Sequence, residues 1–146
     1  MGLYDVYLAG YSDANWRDTF VSQLDSDINV YDPIVHNYKE LDTAEKADLV
    51  AREMETIEQS DLIVFYFCKE WQSYFSVLQL GDAVGRGKQV IVCIADKIES
   101  EEKIRRYCEY RGIIVVENLD DLVSTTEEYL AEVELCAVNI VWSRNL

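Results

Sequence analysis

The sequence predicts an open α/β fold: a five-stranded parallel sheet with helices on both faces, in a single domain. Three observations lead there. Five apolar runs alternate with helix-like segments along the chain. The third, fourth and fifth runs are apolar almost without interruption, as strands covered on both faces must be. The length, 146 residues, suits one core, and the 49% hydrophobic content is enough to fill it.

The elements follow in order. The first strand is YDVYLAG (Tyr4–Gly10), and its loop AGYSDANWR leads into a helix over Asn15–Leu24, with Ser12 or Asp13 as the cap. INVYDP (Ile28–Pro33) is the second strand, ended by the only proline. A long helix over Thr43–Ser60 carries Ala47, Val50, Met54 and Ile57 at helical spacing. DLIVFYFC (Asp61–Cys68) is the third strand. Ser73–Arg86 is the next helix, stopped at Gly87, with Val77, Leu80, Gly81 and Val84 expected to face the sheet. That spacing puts Gln79 on the open, polar face beside Phe75, Asp82 and Arg86. KQVIVCIA (Lys88–Ala95) is the fourth strand. A helix over Ser100–Arg111 starts at a capping signal, GIIVVEN (Gly112–Asn118) is the fifth strand, and Leu119–Cys136 is the last helix.

Composition excludes several classes. With 13 basic and 28 acidic residues the formal charge is −15, which disfavours a nucleic-acid polymer as partner. A small anionic ligand, held by a few local donors, stays open. No run is long enough to cross a bilayer, and the first ten residues lack the basic and apolar regions of a signal peptide. The cysteines Cys68, Cys93, Cys108 and Cys136 form no CxxC pair, and His36 is the only histidine, so no metal site and no cofactor is expected. Cys68 and Cys93 end apolar strands and read as buried thiols of a reducing, cytoplasmic compartment.

In open parallel sheets, ligands bind beyond the carboxyl ends of the strands, where the strand order reverses. The loops after Ala9, Tyr31, Cys68 and Ala95 are therefore the places to look. The first is a weak anion or sugar cradle that an ordinary capped turn would also explain. Ser73 and Ser76, ahead of Gln79, could offer hydroxyls to a phosphate or serve only as helix caps. Glu53 lies at the edge of its helix's apolar stripe, where a carboxylate can face a cleft with a raised pKa or simply face water. Ala9-Gly10 ends the first strand in place of a phosphorylatable aspartate, which argues against a response regulator.

Five pieces in order resemble the nucleoside 2-deoxyribosyltransferase family and its relatives that hydrolyse nucleoside 5′-monophosphates. They are VYLAG…NWR, YDP, EMETIEQSDLIVFYF, QSYFSVLQLGDAVGRGKQVIV and YRGIIVVENLDDLV, covering most of residues 4–123. The resemblance implies a flavodoxin-like sheet and cleavage or transfer of the N-glycosidic bond of a (deoxy)nucleoside or its 5′-monophosphate, through a carboxylate nucleophile. It also implies a homodimer or higher homo-oligomer. Tyr7 matches a tyrosine that orients the nucleophile. Glu53 matches an acid that assists proton transfer to the base. Ser73 matches a serine that touches a 5′-phosphate, and Gly10, Tyr11, Ser12, Trp16 and Ser76 match ligand-facing positions. Gln79 occupies the nucleophile position, where the family has glutamate. A neutral amide removes the attacking anion, on the order of 5 kcal/mol or more of barrier, while its near-isosteric shape preserves the pocket. The resemblance therefore leaves a second reading beside the enzyme: a nucleotide sponge or sensor on the same fold. The apolar tail CAVNIVWSRNL (Cys136–Leu146) reads as interface material or as packing on the chain's own sheet.

Overall fold

A computed structural model describes residues 2–70, 74–97 and 101–144. The elements are β1 (Tyr4–Gly10), α1 (Ala14–Gln23), β2 (Val30–Tyr31), α2 (Thr43–Glu58), β3 (Ser60–Phe67), α3 (Tyr74–Gly85), β4 (Gln89–Ile94), α4 (Glu101–Arg111), β5 (Ile114–Val116) and α5 (Leu119–Arg144). The five strands form one parallel sheet in the order β2-β1-β3-β4-β5. This is the flavodoxin-like α/β fold that the alternation predicts.

The chain leaves β1 toward one edge and returns past it to β3, so the order reverses between those two strands. The crevice at their carboxyl ends is the natural ligand site of such a sheet. The pleat divides the core. Tyr7, Ala9, Ile63, Phe65, Phe67, Val90, Val92 and Ile94 point to the face covered by α2, α3 and α4. Val6, Leu8, Leu62, Val64, Ile91 and Cys93 point to the face covered by α1 and α5.

Local chemistry fixes the helix starts. Asp13 caps α1 by accepting from the Asn15 amide at 2.7 Å. Asp42 and Glu45 form a capping box at the start of α2. The cap expected at Ser100 lies outside the described residues, as does Ser73.

Two helices are rotated relative to the faces read from their apolar residues. On α2, Ala47 and Val50 are exposed, and the packed face runs through Leu49, Glu53, Met54, Thr56 and Ile57. On α3, Val77 and Gly81 are exposed, and the buried stripe is Ser76, Gln79, Leu80, Ala83 and Val84. Gln79 is thus not on the polar face: it is 5% exposed and packs toward the sheet. The reason is the same on both helices. A polar residue takes an inward position, and apolar neighbours take outward ones, so hydrophobic periodicity points one residue away from the true face. The last helix also runs to Arg144, eight residues past its expected end at Cys136.

Candidate active site

The site begins at the end of β1. Gly10 is the last residue of that strand and has a φ of 101°, a conformation open to glycine and strained for other residues. A Cβ added there would sit 2.2 Å from the Tyr66 carbonyl oxygen and 2.7 Å from the Tyr66 nitrogen. The β1 and β3 backbones therefore meet at their carboxyl ends without a side chain between them. The chain then turns, and the Tyr11 amide donates to the Tyr66 carbonyl at 2.8 Å.

Arg17 holds this turn from below. It is 2% exposed and donates to the carbonyls of Leu8 (3.3 Å) and Tyr11 (3.0 and 3.2 Å) and to the Asp32 carboxylate (2.8 Å). One guanidinium thus ties the β1 loop to the loop after β2. Trp16 and Arg17 share the Tyr11 carbonyl, because the Trp16 indole N–H also donates to it at 2.7 Å. The Trp16 ring lies inside the second core cluster, stacked on Tyr66 at 4.7 Å, rather than over the crevice. Ser12 is exposed and Tyr11 is half-buried.

On the opposite face three side chains converge. Tyr7 is fully buried in the sheet, and its ring stacks on Tyr31 at 5.7 Å. Its hydroxyl oxygen is buried with no hydrogen-bond partner among the described residues. Burial raises its pKa far above the usual phenol value, the charge of Glu53 raises it further, and the adjacent Gln79 side chain opposes the rise. Glu53 and Gln79 therefore approach Tyr7 from α2 and α3 respectively. Gln79 lies beside the hydroxyl but outside hydrogen-bonding geometry.

Glu53 is half-buried, and burial pushes its carboxyl up to about 7 despite the opposing pull of Arg17. A carboxyl with that pKa is about half protonated at neutral pH, which suits a group that gives up a proton during reaction. Ser76, 4% exposed, donates its hydroxyl to the Gly10 carbonyl at 3.3 Å. That bond sets the first turns of α3 over the end of β1. Tyr7, Glu53, Gln79, Gly10 and Ser76 are thus gathered at one end of β1; Trp16 and Ser12 are not part of that group.

A groove of about 500 Å³ lies between α2 and α3, lined by Met54, Phe75, Val77, Leu78, Gln79, Gly81 and Asp82. It meets the polar cluster only at Gln79. Its walls are mostly apolar, with Gln79 and Asp82 the polar side chains of its lining. One grouping among the described residues has the donor set for a metal ion. The Cys68 thiol and the Glu70 and Asp96 carboxylates lie within 4.8 Å of one another beyond β3 and β4. The two carboxylates are already engaged in other contacts: Asp96 accepts from the Lys69 amide at 3.2 Å, and the Lys69 ammonium stands 3.9 Å from Glu70.

Known proteins share this framework. The family model described as "Nucleoside 2-deoxyribosyltransferase like" matches residues 3–97, well over half of the chain. The chain belongs to the nucleoside 2-deoxyribosyltransferase-like family. The matched segment contains β1 through β4 and every residue of the polar cluster. Among solved structures, a conserved protein from Enterococcus faecalis V583 superposes with a TM-score of 0.60 at 18% identity, over 86% of this chain and 98% of that one. At that identity the likeness speaks for the fold alone. No curated protein is detectably similar.

Sequence reasoning missed three neighbours of the cluster as individual residues: Arg17, Tyr31 and Asp32. Arg17 and Asp32 stood in the NWR and YDP pieces of the family pattern, which was the available signal. Their pairing across fifteen residues has no periodicity to reveal it.

Proposed function

We propose that this member of the nucleoside 2-deoxyribosyltransferase-like family takes a (deoxy)nucleoside or its 5′-monophosphate at the carboxyl ends of β1 and β3 and acts on its N-glycosidic bond. The observation that carries this is the convergence of Glu53 and Gln79 on the buried Tyr7 hydroxyl, at the strand-order reversal. Each residue then has a chemical part. Glu53, with its pKa pushed up to about 7, donates a proton to the departing base. Tyr7 keeps its proton at any physiological pH, so its unpartnered hydroxyl serves as a fixed donor toward the residue at position 79 or the sugar. Gly10 lets the ends of β1 and β3 close against each other, and Ser76 holds α3 in register above them. Arg17 fixes both loops that border the crevice.

Gln79 stands where the reaction needs an anion. Its amide matches glutamate in shape but carries no charge to attack the anomeric carbon or to stabilise an oxocarbenium-like transition state. That observation favours a second reading: the chain as its sequence stands holds a nucleotide without turning it over efficiently. Isothermal titration calorimetry with deoxynucleosides and their 5′-monophosphates tests the shared part of both readings. Saturable one-to-one binding that weakens in Tyr7→Phe is expected. No heat from any nucleoside or nucleotide would remove both.

A further inference from the structure

Tyr7 stands at the centre of the polar cluster, yet no hydrogen bond fixes where its hydroxyl sits. That oxygen is buried with no partner among the described residues, and Gln79 lies beside it outside bonding geometry. A buried phenol without a hydrogen bond is placed by the packing around its ring. One wall of that packing is Tyr31.

Tyr31 is the register partner of Tyr7 on the neighbouring strand. Both side chains therefore leave the sheet on one face, the face covered by α2, α3 and α4. Their ring centroids are 5.7 Å apart and their planes differ by 19°, the offset stacking that aromatic pairs favour. No other ring stacks on Tyr7 among the described residues. Tyr31 in turn sits on an edge strand of only two residues, Val30 and Tyr31. So short a strand has few ladder bonds to hold it. Two other contacts do so. The Tyr4 ring tilts against Tyr31 at 4.9 Å. The next residue, Asp32, is tied to the buried Arg17 guanidinium at 2.8 Å. The Arg17–Asp32 pair thus also fixes the ring that flanks Tyr7.

We propose that Tyr31 is a positioning residue: its ring holds the Tyr7 hydroxyl where Glu53 and Gln79 converge. The consequence for turnover rests on the nucleoside reading above; the positioning itself does not. The contact is made by ring faces, so phenylalanine at position 31 keeps it and leucine loses it. Without the ring, Tyr7 has room to lean toward the β2 edge and away from the two side chains it meets. A displacement of about 1 Å is enough to cost a reaction up to about a hundredfold.

Crystal structures of the unliganded full chain, unsubstituted and carrying Tyr31→Leu or Tyr31→Phe, test the positioning. The Tyr7 hydroxyl should move by about 1 Å or more in Tyr31→Leu and stay in place in Tyr31→Phe. A hydroxyl that stays in place in Tyr31→Leu overturns the proposal, whatever the protein binds. Base release from deoxynucleosides and their 5′-monophosphates, measured in a Gln79→Glu background, tests the consequence. Tyr31→Leu should lower kcat at least about tenfold with little change in KM, and Tyr31→Phe should retain it. Once Tyr7→Phe is present, Tyr31→Leu should cost nothing further, because it acts through Tyr7. A loss that adds in full to that of Tyr7→Phe overturns the proposal, since a residue needed only for folding would act that way. A Gln79→Glu chain that releases no base removes the nucleoside-cleaving reading, and the position of the Tyr7 hydroxyl then decides the proposal by itself.

Discussion

Replacing Glu53 with glutamine should make the protein more stable at alkaline pH and leave it unchanged in acid. The sign follows from where the proton sits. The carboxyl ionises near its ordinary value of 4.5 in the unfolded chain and at about 7 in the fold, mainly because burial disfavours its charge. Below 4.5 both states are protonated and Glu53 contributes no difference. Between 4.5 and 7 the unfolded state releases its proton while the fold retains it, so stability falls as pH rises. Above 7 both states are ionised and the penalty is constant. The full difference converts to about 3 kcal/mol, and because Glu53 is only half-buried, solvent screening reduces it to about 1–2 kcal/mol. Glutamine carries no such penalty. Urea denaturation of both proteins at pH 4, 6 and 8 should show Glu53→Gln gaining nothing at the first and about 1–2 kcal/mol at the last. A difference that does not change with pH would mean that Glu53 titrates as an ordinary surface acid. It would then be no candidate for protonating a base at neutral pH.

Three further substitutions probe the frame of the site. Gly10→Ala should cost roughly 3 kcal/mol or more, since a left-handed alanine is strained and its Cβ meets the Tyr66 backbone, which has no freedom to yield; guanidinium unfolding measures it. Tyr7→Phe should be neutral or stabilising by about 1 kcal/mol in the absence of ligand, because it deletes a buried hydroxyl without a partner, and it should weaken nucleoside binding in calorimetry. Arg17→Met should destabilise by about 3 kcal/mol, by stranding the Leu8 and Tyr11 carbonyls and the Asp32 carboxylate. The same change removes the charge that pulls the Glu53 pKa down, so NMR titration should find that carboxyl higher still.

The sheet was legible because its strands are buried on both faces, and a continuous apolar run as short as LIVFYF fits little besides a strand covered on both sides. The right-handed crossovers that βαβ units require narrow the possible strand orders without singling out β2-β1-β3-β4-β5. Helix faces were harder to read, for a physical reason tied to the site. Glu53 and Gln79 occupy inward positions of α2 and α3, while Val50 and Val77 occupy outward ones. Reading a helix face from the spacing of its apolar residues assumes that inward means apolar, and at a polar cluster beneath two helices that assumption fails. Glu53 could be suspected from its place at the edge of its stripe, but only the ordered family pattern pointed to Gln79. The far end of α5 is hard to read for a related reason. Its exposed apolar side chains look like packing residues in sequence, yet the sheet ends before they begin. The Arg17–Asp32 tie could not be read from spacing, because a loop-to-loop ion pair depends on where β1 and β2 lie side by side.

The central claim is that residue 79 is where the chemistry of this pocket is decided. Its most direct test is chromatography of free base released from deoxynucleosides and their 5′-monophosphates by the chain as it stands and by Gln79→Glu, with matched binding. The carboxylate variant should release base at least about a thousandfold faster, the share of a missing nucleophile, while the glutamine chain binds the same ligands and leaves them whole. No base from Gln79→Glu with any of them, in a folded variant that still binds, would contradict the claim and leave a nucleotide-holding protein in its place.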